Sequence, residues 1–224
     1  MTHNPFLSGL RDHFTNDQIR RLGSVRVGIA GAGGLGSNAA AHLVRSGIRR
    51  LRVADFDRVA PSNLNRQFFF IDQVGMKKVT ALEANLKRIN PDLEMQALDI
   101  RLDAGNAGRV FAHCHIIIEA LDRARDKKMM ADAFMADPRL LVCASGIGGW
   151  GESDRIRTRR VRDTFYLVGD GYSEVSADRP PTAAVVGIAA AKQADVVVET
   201  ILKERVRGDE GPRGKTAHLM RRTF

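Results

Sequence analysis

Residues 27–36, Val-Gly-Ile-Ala-Gly-Ala-Gly-Gly-Leu-Gly, contain the pattern around which the rest of the chain is organised. The apolar alternation over 25–29 predicts a strand, and the small residues after the glycines predict a helix. Gly31, Gly33 and Gly36 have the G-x-G-x-x-G spacing of a nucleotide-binding turn. The first glycine allows a tight turn, the second lets backbone approach phosphate, and the third permits close packing of helix on strand. The free N–H groups of the helix N-terminus would then face an anion, so the stretch predicts a nucleotide site.

Strand and helix patterns alternate along the chain as far as about residue 145, which predicts an α/β fold. We expect a Rossmann-like, doubly wound, mostly parallel sheet, extended by antiparallel strands over 152–169. The predicted strands are about 25–30, 48–54, 93–98, 115–119 and 140–144, and the predicted helices are about 37–46, 76–89, 105–112, 124–136 and 183–203.

Composition indicates an ordinary globular protein of 224 residues, 44% of them hydrophobic. No apolar run reaches the roughly 18 residues of a membrane span, so we expect no membrane association. The N-terminus shows no pattern of a secretion signal, and we expect a cytoplasmic location. With two cysteines in the chain, a four-cysteine zinc site within one chain is excluded and a disulfide framework is not expected.

The net charge of +9 raises nucleic acid as a possible partner class. Five arginines lie within residues 155–162, and residues 203–224 carry a net +4 from seven basic and three acidic residues. No RNA-binding signature accompanies either stretch, and aromatic residues make up only 6% of the chain. We therefore interpret the basic residues as a solvated face or a dock for an acidic protein, and nucleic acid is not the expected partner.

An acidic residue ends the second predicted strand. Asp55 follows Gly31 by 24 positions, which is where an acid accepts hydrogen bonds from ribose hydroxyls in this architecture. Asp57 lies two residues on and would point the same way in an extended chain. The alternative is a turn or capping aspartate. Up to this point an NAD-dependent oxidoreductase fits the sequence equally well.

The loop after this strand separates the two interpretations. Ser62-Asn63-Leu64-Asn65-Arg66-Gln67 brings amides and a guanidinium together, and Lys78 follows at the start of a predicted helix. Two cations and helix-end amides suit a triphosphate, whose charge must be neutralised while one phosphorus is attacked. In the alternative interpretation, Arg66 and Lys78 are surface charges. That interpretation does not explain why the amides, Arg66 and Lys78 follow one another in this order along the chain.

These motifs together resemble the ThiF/MoeB/HesA superfamily, the bacterial relatives of the ubiquitin-activating enzymes. The resemblance covers roughly residues 20–203. Within the superfamily, the sequence is most similar to the short ThiF form that is associated with thiamine biosynthesis. The matching segments are Gly-Ala-Gly-Gly-Leu-Gly at 31–36, Asp-Phe-Asp at 55–57, Ser-Asn-Leu-Asn-Arg-Gln at 62–67, Gly-x-x-Lys at 75–78, Ile-Asn-Pro at 89–91, Glu-Ala-Leu-Asp at 119–122, Ala-Ser-Gly at 144–146 and Gly-Asp at 169–170.

The resemblance implies adenylation, by ATP with Mg²⁺, of the C-terminal Gly-Gly carboxylate of the small sulfur-carrier protein ThiS, by a homodimeric enzyme. It implies that Asp55 holds the ribose and that Asp122 assists Mg²⁺; the alternative for Asp122 is a helix N-cap before 124–136. The implied nucleotide-binding residues are Gly31, Gly33, Gly34, Gly36, Asp55, Ser62, Asn63, Arg66, Gln67 and Lys78, and the implied catalytic residues are Arg66, Lys78 and Asp122. We expect a helical arm over 1–24, an ATP-binding adenylyltransferase domain over 25–206 and a basic flexible tail over 207–224.

The chain departs from the superfamily pattern in three ways. Longer relatives hold structural zinc through two Cys-x-x-Cys pairs, which this chain lacks, so no zinc is predicted. Arg123 stands where an asparagine commonly follows the metal aspartate. The superfamily's N-terminal arginine, which reaches the partner subunit's ATP, has no clear match; the candidates are Arg11, Arg20 and Arg21.

Both cysteines have two interpretations. Cys143 lies on the fifth predicted strand, where a buried small hydrophobe is favoured over a thioester or persulfide role. Cys114 lies between His113 and His115, which suggests a metal site. Because alternation along a strand would split the cysteine from both histidines, we do not favour it.

The function classes that stay open lie inside and outside the superfamily. Inside it, the same chemistry could act on a molybdopterin-type carrier or on the carboxylate of a modified tRNA base. Outside it, the alternatives are an NAD-dependent oxidoreductase and a non-catalytic binding module. The Asn-Arg-Gln loop at 65–67 disfavours the oxidoreductase.

Overall fold

A computed structural model describes residues 4–203, so the predicted tail at 207–224 lies outside the described residues. Seven strands form one sheet, flanked by helices on both faces. The strands are β1 (Arg26–Ala30), β2 (Arg50–Ala54), β3 (Glu94–Leu98), β4 (Ile116–Glu119), β5 (Leu140–Ala144), β6 (Arg157–Arg162) and β7 (Phe165–Gly169). The helices are α1 (Pro5–Leu10), α2 (Asn16–Ser24), α3 (Gly34–Arg45), α4 (Lys78–Lys87), α5 (Ala107–Val110), α6 (Ala124–Phe134) and α7 (Ala183–Lys203).

The strand order is β3-β2-β1-β4-β5-β7-β6, and it reverses direction at β1. Strand β1 pairs in parallel with β2 on one side and with β4 on the other. In this register Ala30 lies opposite both Ala54 and Glu119, so three strands end side by side at one edge. A crevice opens at such a switch point, and ligands of α/β sheets bind there.

The expected fold class, a doubly wound and mostly parallel sheet with an antiparallel extension, is confirmed. The extension differs in detail from the expectation of antiparallel strands throughout 152–169. Strand β7 runs parallel to β5, and only β6 is antiparallel to its neighbour. The tight β6–β7 turn forces these two strands to be antiparallel, whereas the long connection after β5 lets the chain reach the outer position first.

Helix α3 begins at Gly34, three residues before the predicted start, because the last glycines of the turn form its first helical turn. Gly33 is the N-cap, so the N–H groups of this first turn face the end of β1. Helix α7 packs on α3, and its small residues Ala189, Ala190 and Ala194 are buried within this chain. No helix within residues 4–203 is long and apolar enough to cross a lipid bilayer.

The N-terminal arm contains two short helices, each with a side-chain cap. Asn4 accepts hydrogen bonds from Phe6 N and Leu7 N at the start of α1. Thr15 and Gln18 form a capping box at the start of α2. Leu22 of α2 is completely buried in the core, so the second half of this arm belongs to the packed domain. The domain division itself stays a prediction.

Candidate functional site

A cleft of about 240 Å³ opens at the switch point of the sheet. It collects residues that follow β1, β2, β3 and β4, because the carboxyl ends of parallel strands share one edge. The predicted residues that line it are Gly31, Gly33, Asp55, Asn63, Arg66, Gln67, Lys78 and Asp122. Gly34, Gly36 and Ser62 are not among the lining residues, and their predicted contact with the nucleotide stays a prediction.

The glycine turn shows why two of its positions require glycine. Gly31 has a φ of +99°, and a Cβ there would lie 2.7 Å from the carbonyl oxygen of Ala120. A Cβ on Gly36 would lie 1.9 Å from the carbonyl oxygen of Gly31, so α3 approaches β1 only because this residue has no side chain. The tight turn and the close packing predicted from the motif are both confirmed. Gly33 has open space around its missing Cβ, at a position that lines the cleft.

Asp55 joins the glycine turn to the loop after β2. Its Oδ2 atom accepts a hydrogen bond of 2.6 Å from Ala32 N, and its Oδ1 atom accepts one of 2.8 Å from Asp57 N. Each carboxylate oxygen has further acceptor capacity, so the group can still accept from ribose hydroxyls in the cleft.

Lys78 is almost completely buried, at 6% exposure, and lines the cleft from the start of α4. Its Nζ atom donates to the Oδ2 atom of Asp57 over 2.8 Å, and its backbone N donates to the Asp57 carbonyl over 2.9 Å. One of the three ammonium donors is thereby used, and two stay available for phosphate oxygens.

Arg66 enters the cleft from the loop after a short 3-10 helix at Pro61–Asn63. Its Nη1 atom donates to the Ser62 carbonyl over 3.0 Å and to Asn65 Oδ1 over 2.8 Å. The side chain of Asn38 on α3 donates to the Arg66 carbonyl over 2.8 Å, which ties the loop to the helix below the glycine turn. Ser62 is exposed and contributes its backbone oxygen to this arrangement.

Asp122 lies on the four-residue loop between β4 and α6 and is exposed to the cleft. Its side chain has no hydrogen-bond or ion-pair partner within residues 4–203. The N-cap of α6 is Arg123, which makes no side-chain cap bond, so the alternative interpretation of Asp122 as the helix cap is wrong.

Magnesium often binds through one or two carboxylates together with substrate phosphates. Asp122 and Asp126 both line the cleft, and this oxygen donor set fits a metal ion that arrives with a triphosphate. In the described part of the chain, no three His, Cys, Asp or Glu residues are grouped closely enough to hold a metal ion.

The residues that follow β3 were missed by the sequence analysis. Ile100, Arg101 and Leu102 line the cleft, and the Arg101 guanidinium lies 5.2 Å from the ring centroid of Phe56. Ile100 and Leu102, with Ala54 and Leu121, add an apolar wall, the kind of surface that a nucleobase contacts. The signal was present in the sequence, because a third parallel strand must end at the same edge.

Several other candidate residues lie outside the cleft. Cys114 and Cys143 are 3% and 5% exposed, and burial raises the pKa of each thiol, which is the environment of a structural cysteine. Arg20 forms an ion pair with Asp17, and Arg21 donates to the Leu202 carbonyl.

Comparison with known proteins supplies the family. The chain is 33% identical over 133 residues to the adenylyltransferase and sulfurtransferase UBA4 of Candida glabrata, a match that covers 59% of this chain and 31% of the relative. It is 35% identical over 113 residues to the SAMP-activating enzyme E1 of Haloferax volcanii, covering 50% of this chain and 42% of the relative. The chain thus aligns with less than half the length of these curated relatives.

The fold is similar to that of E. coli tRNA N6-threonylcarbamoyladenosine dehydratase, TcdA, in complex with ATP. The TM-score is 0.83 at 19% identity, and the match covers 92% of this chain and 97% of that chain. The model of the ThiF family matches residues 8–217. Because that match extends over most of the sequence, the chain belongs to the ThiF family.

Proposed function

We propose that this protein transfers AMP from ATP to the C-terminal Gly-Gly carboxylate of a small, ThiS-like sulfur-carrier protein in thiamine biosynthesis, and releases pyrophosphate. The observation that carries the proposal is the cleft itself. It combines an acceptor for ribose hydroxyls at Asp55 with two cations, Arg66 and Lys78, beside the N-terminus of α3. A nicotinamide dinucleotide would need less positive charge than this arrangement supplies.

The relatives support the same chemistry. UBA4 is named an adenylyltransferase and sulfurtransferase, and the Haloferax relative is named an activating enzyme. TcdA, which shares the fold, binds ATP in its solved structure. The short ThiF resemblance of the motifs favours a ThiS-like carrier, and we propose on the same ground that the enzyme is a homodimer.

The cleft residues account for the reaction. The carrier's terminal carboxylate oxygen forms a bond to the α-phosphorus, and the bond from that phosphorus to the bridging oxygen breaks as pyrophosphate leaves. Arg66 and Lys78 stabilise the charge that develops on pyrophosphate, and the α3 N-terminus orients the phosphates. Mg²⁺, held by Asp122 and the phosphates, would neutralise further charge. No covalent enzyme intermediate is required, because the carrier supplies the nucleophile.

The decisive experiment is ATP–pyrophosphate exchange in the presence of Mg²⁺, with and without a ThiS-like protein that ends in Gly-Gly. We expect exchange only with the carrier, and its loss when the terminal glycine of the carrier is removed. R66A should abolish the exchange while the circular dichroism spectrum stays that of the wild type. Exchange retained by R66A would contradict the role given to this guanidinium.

A second candidate substrate is the carboxylate of a modified tRNA base. Strand β6 is exposed along its whole length and carries arginines at 157, 159, 160 and 162, of which Arg160 forms an ion pair with Asp163. TcdA is named for a tRNA nucleoside. Salt-sensitive tRNA binding that R157A/R159A weakens, with ATP turnover on addition of tRNA and none with any Gly-Gly carrier, would favour this candidate over ThiS or a molybdopterin-type carrier.

A further inference from the structure

An ion pair between a buried glutamate and a partly exposed lysine joins the two ends of the loop that carries Asp122. Glu119 is the last residue of β4, and Lys127 lies in the first turns of α6, so the two residues flank the loop 120–123. The Nζ atom of Lys127 lies 3.1 Å from Oε1 and 3.2 Å from Oε2 of Glu119. The Glu119 side chain is 1% exposed and the Lys127 side chain is 24% exposed.

The same two side chains also hold the neighbouring backbone. Glu119 Oε1 accepts a hydrogen bond of 2.7 Å from Leu121 N inside the loop. Lys127 Nζ donates over 2.9 Å to the carbonyl of Ala144, at the end of β5. From the other face, Gln193 of α7 donates over 2.9 Å to the Glu119 carbonyl. The pair therefore holds the second residue of the loop and the end of β5, and Gln193 holds the residue before the loop.

Fold stability alone is a weak reason for this pair. Removing two charges from water is costly, and apolar residues of similar volume are often as stable at such sites. Asp122, in contrast, has no side-chain partner of its own in the described part of the chain. Its position follows from the backbone of the loop, which is the part that Glu119 and Lys127 hold.

We infer that Glu119 and Lys127 are positioning residues, which hold Asp122 where it meets the magnesium complex of the nucleotide. Neither side chain lines the cleft, so they act through the loop. The inference rests on the proposed use of Mg-ATP, and it deepens that proposal by naming the residues that set the metal-facing carboxylate.

The test measures ATP binding by calorimetry, with Mg²⁺ and with EDTA, and needs no carrier protein. K127M should weaken Mg-ATP binding by about tenfold or more, the range found for residues behind a metal ligand, and leave Mg-free ATP binding within about twofold. The matched control is K128M, which removes the same charge one residue on. Lys128 is 75% exposed and pairs with Asp132 on the helix surface, so we expect both affinities to stay those of the wild type.

Two further measurements test whether Lys127 acts on Mg-ATP binding through the loop and Asp122. D122N should show the same selective loss, and K127M/D122N should bind no more weakly than D122N alone, because both changes remove one interaction. In the free protein, amide hydrogen exchange over 119–123 should be about tenfold faster in K127M than in K128M. The inference would be overturned if K127M weakened the binding of Mg-ATP and of Mg-free ATP equally, or if the losses of K127M and D122N added in the double variant. Amide hydrogen exchange as slow in K127M as in K128M would also overturn it.

K127M leaves the Glu119 carboxylate buried without its partner, which could prevent folding. E119Q/K127M removes both charges at nearly constant shape and should show the same selective loss of Mg-ATP binding. Since these readouts do not involve the carrier, failure of pyrophosphate exchange with every Gly-Gly carrier would count against the proposed substrate and leave the positioning role supported. Wild-type Mg-ATP affinity in the double variant would overturn that role.

Discussion

The Nζ atom of Lys78 lies 2.8 Å from the Oδ2 atom of Asp57, and both residues line the cleft at the switch point of the sheet. The lysine side chain is 7% exposed, whereas the aspartate side chain is 50% exposed. The partner therefore fixes the direction of a nearly buried ammonium group, so little side-chain entropy is left to lose when a phosphate binds.

K78M should lower carrier-dependent pyrophosphate exchange by about 100-fold or more, since a fixed charge beside developing charge contributes on that scale. The adjacent residue offers the control. Lys77 pairs with Asp99 and is 47% exposed, so K77M should stay within about twofold of the wild-type rate, as expected for a surface pair. Equal rates for the two variants would show that Lys78 has no special role.

The glycine turn allows stability and binding to be separated. G36A should destabilise the fold by about 1–3 kcal/mol or more, because its Cβ would overlap the Gly31 carbonyl. G33A has open space and a φ of −78°, so it should cost at most about 1 kcal/mol, from the poorer N-cap preference of alanine. Because the methyl group added in G33A projects where phosphate would approach, the affinity of this variant for ATP should fall. Urea unfolding and calorimetry measure the two effects. A G36A protein as stable as the wild type would refute this packing.

The two thiols should be inert in the native protein. Burial raises the pKa of both Cys114 and Cys143, which keeps them protonated at neutral pH, and the thiolate is the reactive form. A disulfide exchange reagent at pH 7.5 should label neither within minutes, and both after unfolding in urea. C143A should retain pyrophosphate exchange within about threefold, the effect of a modest change in packing. Rapid labelling of Cys143 in the native protein would instead favour the alternative of a thioester or persulfide role.

An acid-sensitive contribution to stability is expected from Asp137. The hydrogen bond from the Arg139 side chain lowers the pKa of this carboxyl below its ordinary value. The ionised form therefore stabilises the fold above the unfolded-state pKa of about 4, and the stabilisation is lost as the pH falls through the folded-state pKa. D137N should lower the urea midpoint at pH 7, and the difference from wild type should shrink at pH 2.5.

The control for this pH dependence is D163N. Asp163 also pairs with an arginine, Arg160, but its side chain is 95% exposed, and such pairs contribute little to stability. We expect no measurable shift of the urea midpoint at either pH. A D137N effect that is as large at pH 2.5 as at pH 7 would mean that lost packing, and not the ionised carboxylate, is responsible.

Much of the site follows from local patterns in the sequence. Gly31 and Gly33, Asp55, Arg66 and Lys78 all meet in one cleft, as their order along strand–turn–helix units predicts. Parallel strands carry their carboxyl ends to one edge, so residues that follow different strands converge without any knowledge of side-chain packing.

Other features depend on contacts between distant segments. The insertion of β7 between β5 and β6 and the hydrogen bond from Gln193 to Glu119 join parts of the chain that are far apart in sequence. No local periodicity encodes such partners, because they are selected by the free energy of packing the whole domain.

The class of fold, the glycine turn and the meeting of the polar residues in one cleft could be predicted from the sequence, since these follow from backbone conformations and the alternation of strand and helix. Three features required the folded structure: Asp122 is not a helix cap, Asp57 orients Lys78, and Glu119 pairs with Lys127 behind the loop. For the two ion pairs, the reason is that they depend on which charged group is buried beside which partner, and burial exists only once the sheet and its helices have assembled. The start of α6 is likewise set by the packing of that helix in the domain, since most helical stability in proteins comes from tertiary packing.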